Sequence, residues 1–128
     1  MNEVLPKKIL IVDDDPSDIL LLKKILESKY SLIETTDSSR ALEITISNHP
    51  DLVVTDVMMP QISGYTLCKK LKNNPNTQDI PVIMVTGLNM KMNEEIGGFM
   101  GADGYLAKPV KPKKLQSMIT RLLKTKKK

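Results

Sequence analysis

The sequence predicts an α/β domain of the (βα)5 type, a parallel five-stranded sheet with helices packed on both faces. Three observations carry that reading. Short β-branched runs alternate with longer segments of helical periodicity along the whole chain. The runs KKILIV, DLVVT and IPVIMVT are apolar almost throughout, as strands covered on both faces are. The 128 residues are enough for one core and too few for two ordinary ones, so a single domain is expected over 1–128.

The elements follow in order. The stretch 7–12 reads as a buried strand that ends in acids. In DPSDILLLKKILES, Asp15 is the expected N-cap and Pro16 the first helical residue, with Ile19, Leu22 and Leu26 on one face. YSLIETT is a second strand, and SSRALEITISNH a second helix expected to be capped by Ser38 or Ser39. DLVVT is the third strand. A third helix follows Ser63, with Leu67, Cys68 and Leu71 at core spacing. The fourth strand is IPVIMVT at 80–86. NEEIGGFMGA reads as a helix weakened by Gly97 and Gly98, each costing about 1 kcal/mol against alanine. GYLAK is a short fifth strand, and KPKKLQSMITRLLK closes the chain with Leu115, Met118, Ile119 and Leu122 on one face. The core is expected over about residues 7–124, with a basic tail over 124–128.

Composition narrows the class. The chain is 41% hydrophobic and 27% charged, with aromatics at 3% and eight methionines as flexible filler. A single cysteine, Cys68, allows no intramolecular disulfide and fits a reducing compartment. No apolar run reaches the roughly 18 residues of a spanning helix, and MNEVLPKK lacks the apolar segment of a signal peptide. A cytoplasmic protein with no membrane insertion is expected. The net charge of +4 is uneven: from Lys108 onward there are nine Lys or Arg and no acids. That stretch reads as a solvated helix face plus a lysine tail, not as a nucleic-acid surface.

In open α/β sheets, ligands bind beyond the carboxyl ends of the strands. Those ends carry Asp13, Asp14 and Asp15 after strand one, Asp56 after strand three and Thr86 after strand four. Lys108, followed by Pro109, ends strand five; Thr35, Thr36 and Asp37 after strand two say less. Carboxylates gathered in one cleft cannot all ionise comfortably without a cation. Hard oxygen ligands on a partly hydrated site suit Mg2+, with Mn2+ as a substitute. A metal-bound carboxylate beside a lysine and a hydroxyl can accept a phosphoryl group, which accounts for a charge at Asp56.

Four stretches, ILIVDDDP, DLVVTDVMMPQISG, IPVIMVTG and GADGYLAKPV, occur in this order and spacing. With them the chain resembles the receiver domains of two-component response regulators, and is similar to the single-domain chemotaxis type over about residues 7–124. The resemblance implies a flavodoxin-like sheet of strand order 2-1-3-4-5. It makes Asp56 the phosphorylated residue and part of the metal site. Asp14 would ligate Mg2+ directly, Asp13 through water, and the backbone carbonyl of Met58 would be a third protein ligand. Thr86 and Lys108 would bind phosphoryl oxygens, and the Lys108–Pro109 bond is expected to be cis. Movement of Thr86 would let Tyr105 turn inward, altering the face made by the fourth helix, fifth strand and fifth helix. The donor would be a sensor histidine kinase or a phosphotransfer protein. The output would be a downstream protein target or an output domain missing from this sequence, from a monomer or a phosphorylation-dependent dimer. The module would be regulatory, not an enzyme.

Departures from the family pattern are also visible. Val110 stands where an aromatic often follows Lys-Pro, and Gly87, Gly97, Gly98 and Gly104 loosen the fourth-helix region. Met58 and Leu88 flank the cleft and are expected to hinder an attacking water, giving a long-lived phosphoryl group. Simpler roles suffice for other residues: Asp15 as a cap, Cys68 as inert packing, His49 as a turn residue, and Met58, Met59, Met90 and Met92 as filler or partner surface. Two rival functions remain open from sequence. One is an aspartate-dependent phosphohydrolase with Asp13 as nucleophile and Asp15 as acid. The other is a phosphate-independent receiver-like scaffold that works through its basic C-terminal face.

Overall fold

The computed structural model describes residues 5–87 and 101–125. Its elements are β1 (Lys8–Val12), α1 (Pro16–Leu26), β2 (Ser31–Thr35) and a 3-10 turn (Ser38–Arg40). They continue with α2 (Ala41–Asn48), β3 (Leu52–Asp56), α3 (Gly64–Lys72), β4 (Val82–Thr86), β5 (Gly104–Ala107) and α4 (Pro112–Thr125). The strands form one sheet of order β2-β1-β3-β4-β5, parallel throughout. The helix expected around Gly97 and Gly98, together with Leu88 and the last three lysines, lies outside the described residues.

Period-two alternation explains why the central strands are apolar on both sides. Ile9, Ile11, Val54, Ile83 and Val85 face one layer, packed by Ile19, Leu22 and Leu26 of α1 and Leu115, Ile119 and Leu122 of α4. Their neighbours Leu10, Val12, Val53, Val82 and Met84 face the other layer, against Ala41 of α2 and Leu67, Cys68 and Leu71 of α3. All of β3 and β4 is buried, while the edge strand β2 is only half covered. No helix among the described residues is long and apolar enough to cross a membrane.

Local chemistry sets the helix ends. Asp15, in an extended conformation, accepts a hydrogen bond from the Ser17 N–H, and Pro16 fills the first helical position. Ser63 caps α3 by accepting from the Thr66 N–H at 3.1 Å. The expected cap of α2 is corrected. Asp37, not Ser38 or Ser39, accepts from the Ser39 N–H at 3.0 Å and starts the 3-10 turn, and α2 follows from Arg40 without a side-chain cap. The Ser38 hydroxyl is buried and engaged elsewhere, donating to the Ile62 carbonyl at 2.9 Å and accepting from the Ile62 N–H at 3.0 Å. His49 ends α2 in the left-handed region at φ 49°.

One glycine positions the strand end that matters most. Gly64 opens α3 with its N–H bonded to the Val57 carbonyl at 2.8 Å. A Cβ there would overlap the Asp56 carbonyl oxygen and lie 3.0 Å from Val57 Cα, both rigid backbone atoms. Gly64→Ala is therefore expected to destabilise the domain by about 1–3 kcal/mol, the usual cost of overpacking. Gly87→Ala, where a Cβ would meet nothing within 4 Å, should change stability little. Urea-denaturation midpoints of the two variants provide the comparison.

Candidate functional site

The carboxyl rim of the sheet gathers Asp13, Asp14 and Asp56, whose nearest carboxylate oxygens all lie within 4.8 Å of one another. Adjacent parallel strands bring them together, since β1 pairs directly with β3 and both end at the same rim. Asp13 is almost fully buried and Asp56 is 9% exposed, whereas Asp14 is open to solvent. Local backbone donors orient the two buried acids. The Asp15 N–H donates to Asp13 Oδ1 at 3.0 Å, and the Val57 N–H donates to Asp56 Oδ1 at 2.8 Å. In each case the other oxygen is left facing Lys108. Its Nζ lies 3.4 Å from Asp13 Oδ2 and 3.5 Å from Asp56 Oδ2.

Lys108 follows β5, and its N–H donates to the Thr86 carbonyl at 2.9 Å. The Lys108–Pro109 peptide bond is cis. Thr86 is buried at the end of β4, opposite Ala107 of β5 and one residue beyond the Asp56–Val85 pair of β3 and β4. Strand alternation puts Thr86 on the same sheet face as Met84, the face against which Tyr105 packs. The Tyr105 hydroxyl oxygen is shut away from solvent. Met58, two residues past Asp56, is 63% exposed.

Sequence reasoning passed over Asp18. Its Oδ2 lies 2.8 Å from Lys108 Nζ, closer than either buried acid. Its position in the first turn of α1 suggested only the usual preference of acids for a helix N-terminus. The one available signal was its placement three residues after Asp15, close to the acidic end of β1.

Burial governs the titration of the site. Asp13 is pushed up to about 6, mainly by desolvation, with the charge of Asp56 adding and the Asp15 N–H and Lys108 opposing. Asp56 is also raised, again chiefly by burial. For Lys108, burial alone would lower the value, but the Asp18 hydrogen bond and the charges of Asp13 and Asp56 outweigh it and hold the ammonium well above the ordinary lysine range. Asp15, which is exposed, is lowered by hydrogen bonds from Ser17.

All three carboxylates are hard oxygen donors, and their mutual repulsion is only partly offset by one lysine. That donor set fits a small divalent cation such as Mg2+.

The comparisons with known proteins bear on the family and the fold. Residues 9–120 match the family model of the response regulator receiver domain. The chain belongs to the response regulator receiver domain family. A protein named "Probable transcriptional regulator ycf27" from Cyanophora paradoxa is 40% identical, over 95% of this chain and 50% of its own. The alkaline phosphatase synthesis transcriptional regulatory protein PhoP of Bacillus subtilis is 35% identical, over 92% and 49%. The chain thus spans about half the length of the curated relatives it matches. Among solved structures, a CheY-like receiver domain protein from Methanospirillum hungatei superposes with a TM-score of 0.84 at 32% identity, covering 94% of this chain and 96% of that one. The receiver domain of a Pseudomonas aeruginosa sensor histidine kinase, with magnesium coordinated in its active-site cleft, gives 0.86 at 25% identity, covering 94% and 99%.

The raised carboxyl of Asp13 makes a signed prediction for this receiver domain. Between the ordinary value of 3.8 and about 6, the folded state holds more protons at Asp13 than the unfolded chain does. Its contribution to metal-free stability therefore falls as pH rises through that window and levels off above it. Asp13→Asn should raise the metal-free melting temperature at pH 7 by about 2–8 °C, the shift that roughly 1 kcal/mol gives in a domain of this size. Added Mg2+ should stabilise the wild type more than the variant. Calorimetry from pH 4 to pH 8 measures both effects.

Proposed function

We propose that Asp56 is the phosphoacceptor of this receiver domain and that Asp13, Asp14, Asp56 and the Met58 carbonyl hold Mg2+ beside it. What supports the reading is the convergence of three carboxylates and Lys108 on one rim, in a chain of this family. In the reaction, an Asp56 carboxylate oxygen forms a bond to phosphorus. The bond from phosphorus to the donor, a histidine nitrogen of a kinase or phosphotransfer protein or the oxygen of an acyl phosphate, breaks, and the donor leaves with its electron pair. The Val57 N–H fixes the carboxylate that attacks. Bound Mg2+ would supply charge neutralisation for the transferring oxygens. Lys108 offers an ammonium to the same oxygens, and Thr86 stands at the neighbouring strand end to donate its hydroxyl.

The change of charge at Asp56 would bias Thr86 and Tyr105, which share a sheet face, and through them the surface around β5 and α4. The output is then a protein partner or a further domain, in a cytoplasmic phosphorelay, with residues 1–128 acting as one regulatory module. The hydrolase alternative is less well served by the geometry. Asp15, its would-be acid, is committed to capping α1 and is held ionised by Ser17.

Incubation with acetyl phosphate and Mg2+ should add the mass of one phosphoryl group, abolished by Asp56→Asn and by chelator. Label surviving in Asp56→Asn would transfer the role to Asp13, and no label in the wild type would favour the phosphate-independent scaffold. Should Met58, two residues past Asp56, shield the phosphoryl group from water, that group is expected to outlast a chase of many seconds. Disappearance within seconds in Mg2+ would contradict that shielding.

A further inference from the structure

The carboxylate nearest to Lys108 lies outside the acidic cluster. Nζ is 2.8 Å from Asp18 Oδ2, against 3.4 Å from Asp13 and 3.5 Å from Asp56. Helix capping does not require this acid. The Asp15 carboxylate already takes the Ser17 N–H, and the N–H groups of Asp18 and Ile19 bond to the Asp15 carbonyl. The Asp18 side chain instead reaches across the cleft from the first turn of α1 to the lysine of the β5 end.

Resting on the reading of Asp56 as phosphoacceptor, we propose that Asp18 is a positioning residue that competes with the phosphoryl group for Lys108 and so restrains phosphorylation. Two effects act with the same sign. A phosphoryl group on Asp56 needs the ammonium that Asp18 holds, so one ion pair must loosen as the other forms. A lysine that kept both partners would instead hold a carboxylate close to a phosphoryl group of about −2 charge, and like charges repel. Lys108 also has room to move. With Asp18 it lines a cavity of about 330 Å³ whose other walls include Leu21, Leu22, Val85 and Val110.

The test measures the rate of Asp56 phosphorylation by acetyl phosphate in saturating Mg2+ for wild type, Asp18→Asn and Asp18→Glu. Asp18→Asn should react about two- to fivefold faster, the span expected from losing one partly exposed ion pair. Asp18→Glu keeps the charge and should return the rate close to wild type. The Lys108 side-chain ammonium resonance, followed by NMR in the unphosphorylated protein, should shift in Asp18→Asn and not in Asp18→Glu. A rate in Asp18→Asn that is unchanged or slower, with Asp56 still labelled, overturns the restraint while leaving the phosphoacceptor reading intact. No label in the wild type, or label that survives Asp56→Asn, overturns that reading and the restraint with it.

Discussion

Three carboxylates held within a few ångströms of one another are the constraint on which the rest of the structure depends. Each must be aimed, and their charge must be met by something. The sheet solves the first problem. Because every strand runs the same way, all carboxyl ends share one rim, and β1 and β3 lie side by side there. Lys108 addresses the second, from the far side of β4. Strand β5 sits two strand spacings from β3, about 10 Å, so only a long flexible side chain closes that gap. The four-carbon stem of lysine does so. A short polar residue at the end of the intervening strand, Thr86, suits the same geometry.

Such a rim is a standing cost to the fold. Burial raises Asp13 and Asp56 because the ionised forms are poorly solvated there, and their charges oppose each other. The two apolar layers on either face of the sheet offset this. β3 and β4 are wholly buried, and α1, α3 and α4 each bury a full apolar face against them. The cost is concentrated at the carboxyl ends of β1 and β3, at Asp13 and Asp56, while the stabilising area lies along the strands. Gly64 marks the meeting of these demands, since α3 can start against Asp56 only where no Cβ intervenes.

The fold was largely legible because its signals are local and redundant. Apolar runs located the strands, and Asp15–Pro16 and Ser63 located two helix starts by mechanisms that need no tertiary contact. The α2 cap was misread for the opposite reason. The Ser38 hydroxyl is drawn into the loop after β3, where Ile62 binds it, so the cap passed to Asp37. A tertiary hydrogen bond overrode a local preference. Among the charged groups, Asp13, Asp14, Asp56 and Lys108 stood out as breaks at the ends of apolar runs. Asp18 did not, because an acid in a helix's first turn already has an ordinary explanation. Asp103, just before β5, gave no signal either, yet its Oδ2 receives Lys72 Nζ at 2.9 Å and the Val82 N–H at 2.8 Å, tying α3 to the starts of β4 and β5. Only the folded arrangement puts those partners together.

The turn from β1 into α1 shows how one residue type acquires separate roles within six positions. Asp13 is buried, pinned by a backbone N–H, and raised toward neutrality. Asp15 is exposed, bonded by the Ser17 N–H and hydroxyl, and lowered. Asp18 is partly exposed and ion-paired to Lys108. Chemical identity is the same in all three; solvent access and the partner on the facing oxygen differ. Residues 14–17, between the strand end and the helix's first turn, are exposed, and the chain turns back toward the sheet at Asp18 and Ile19. That return brings Asp18 to the lysine of the β5 end. The first turn of α1 thereby belongs to the same charge network as the acidic rim, through the lysine they share.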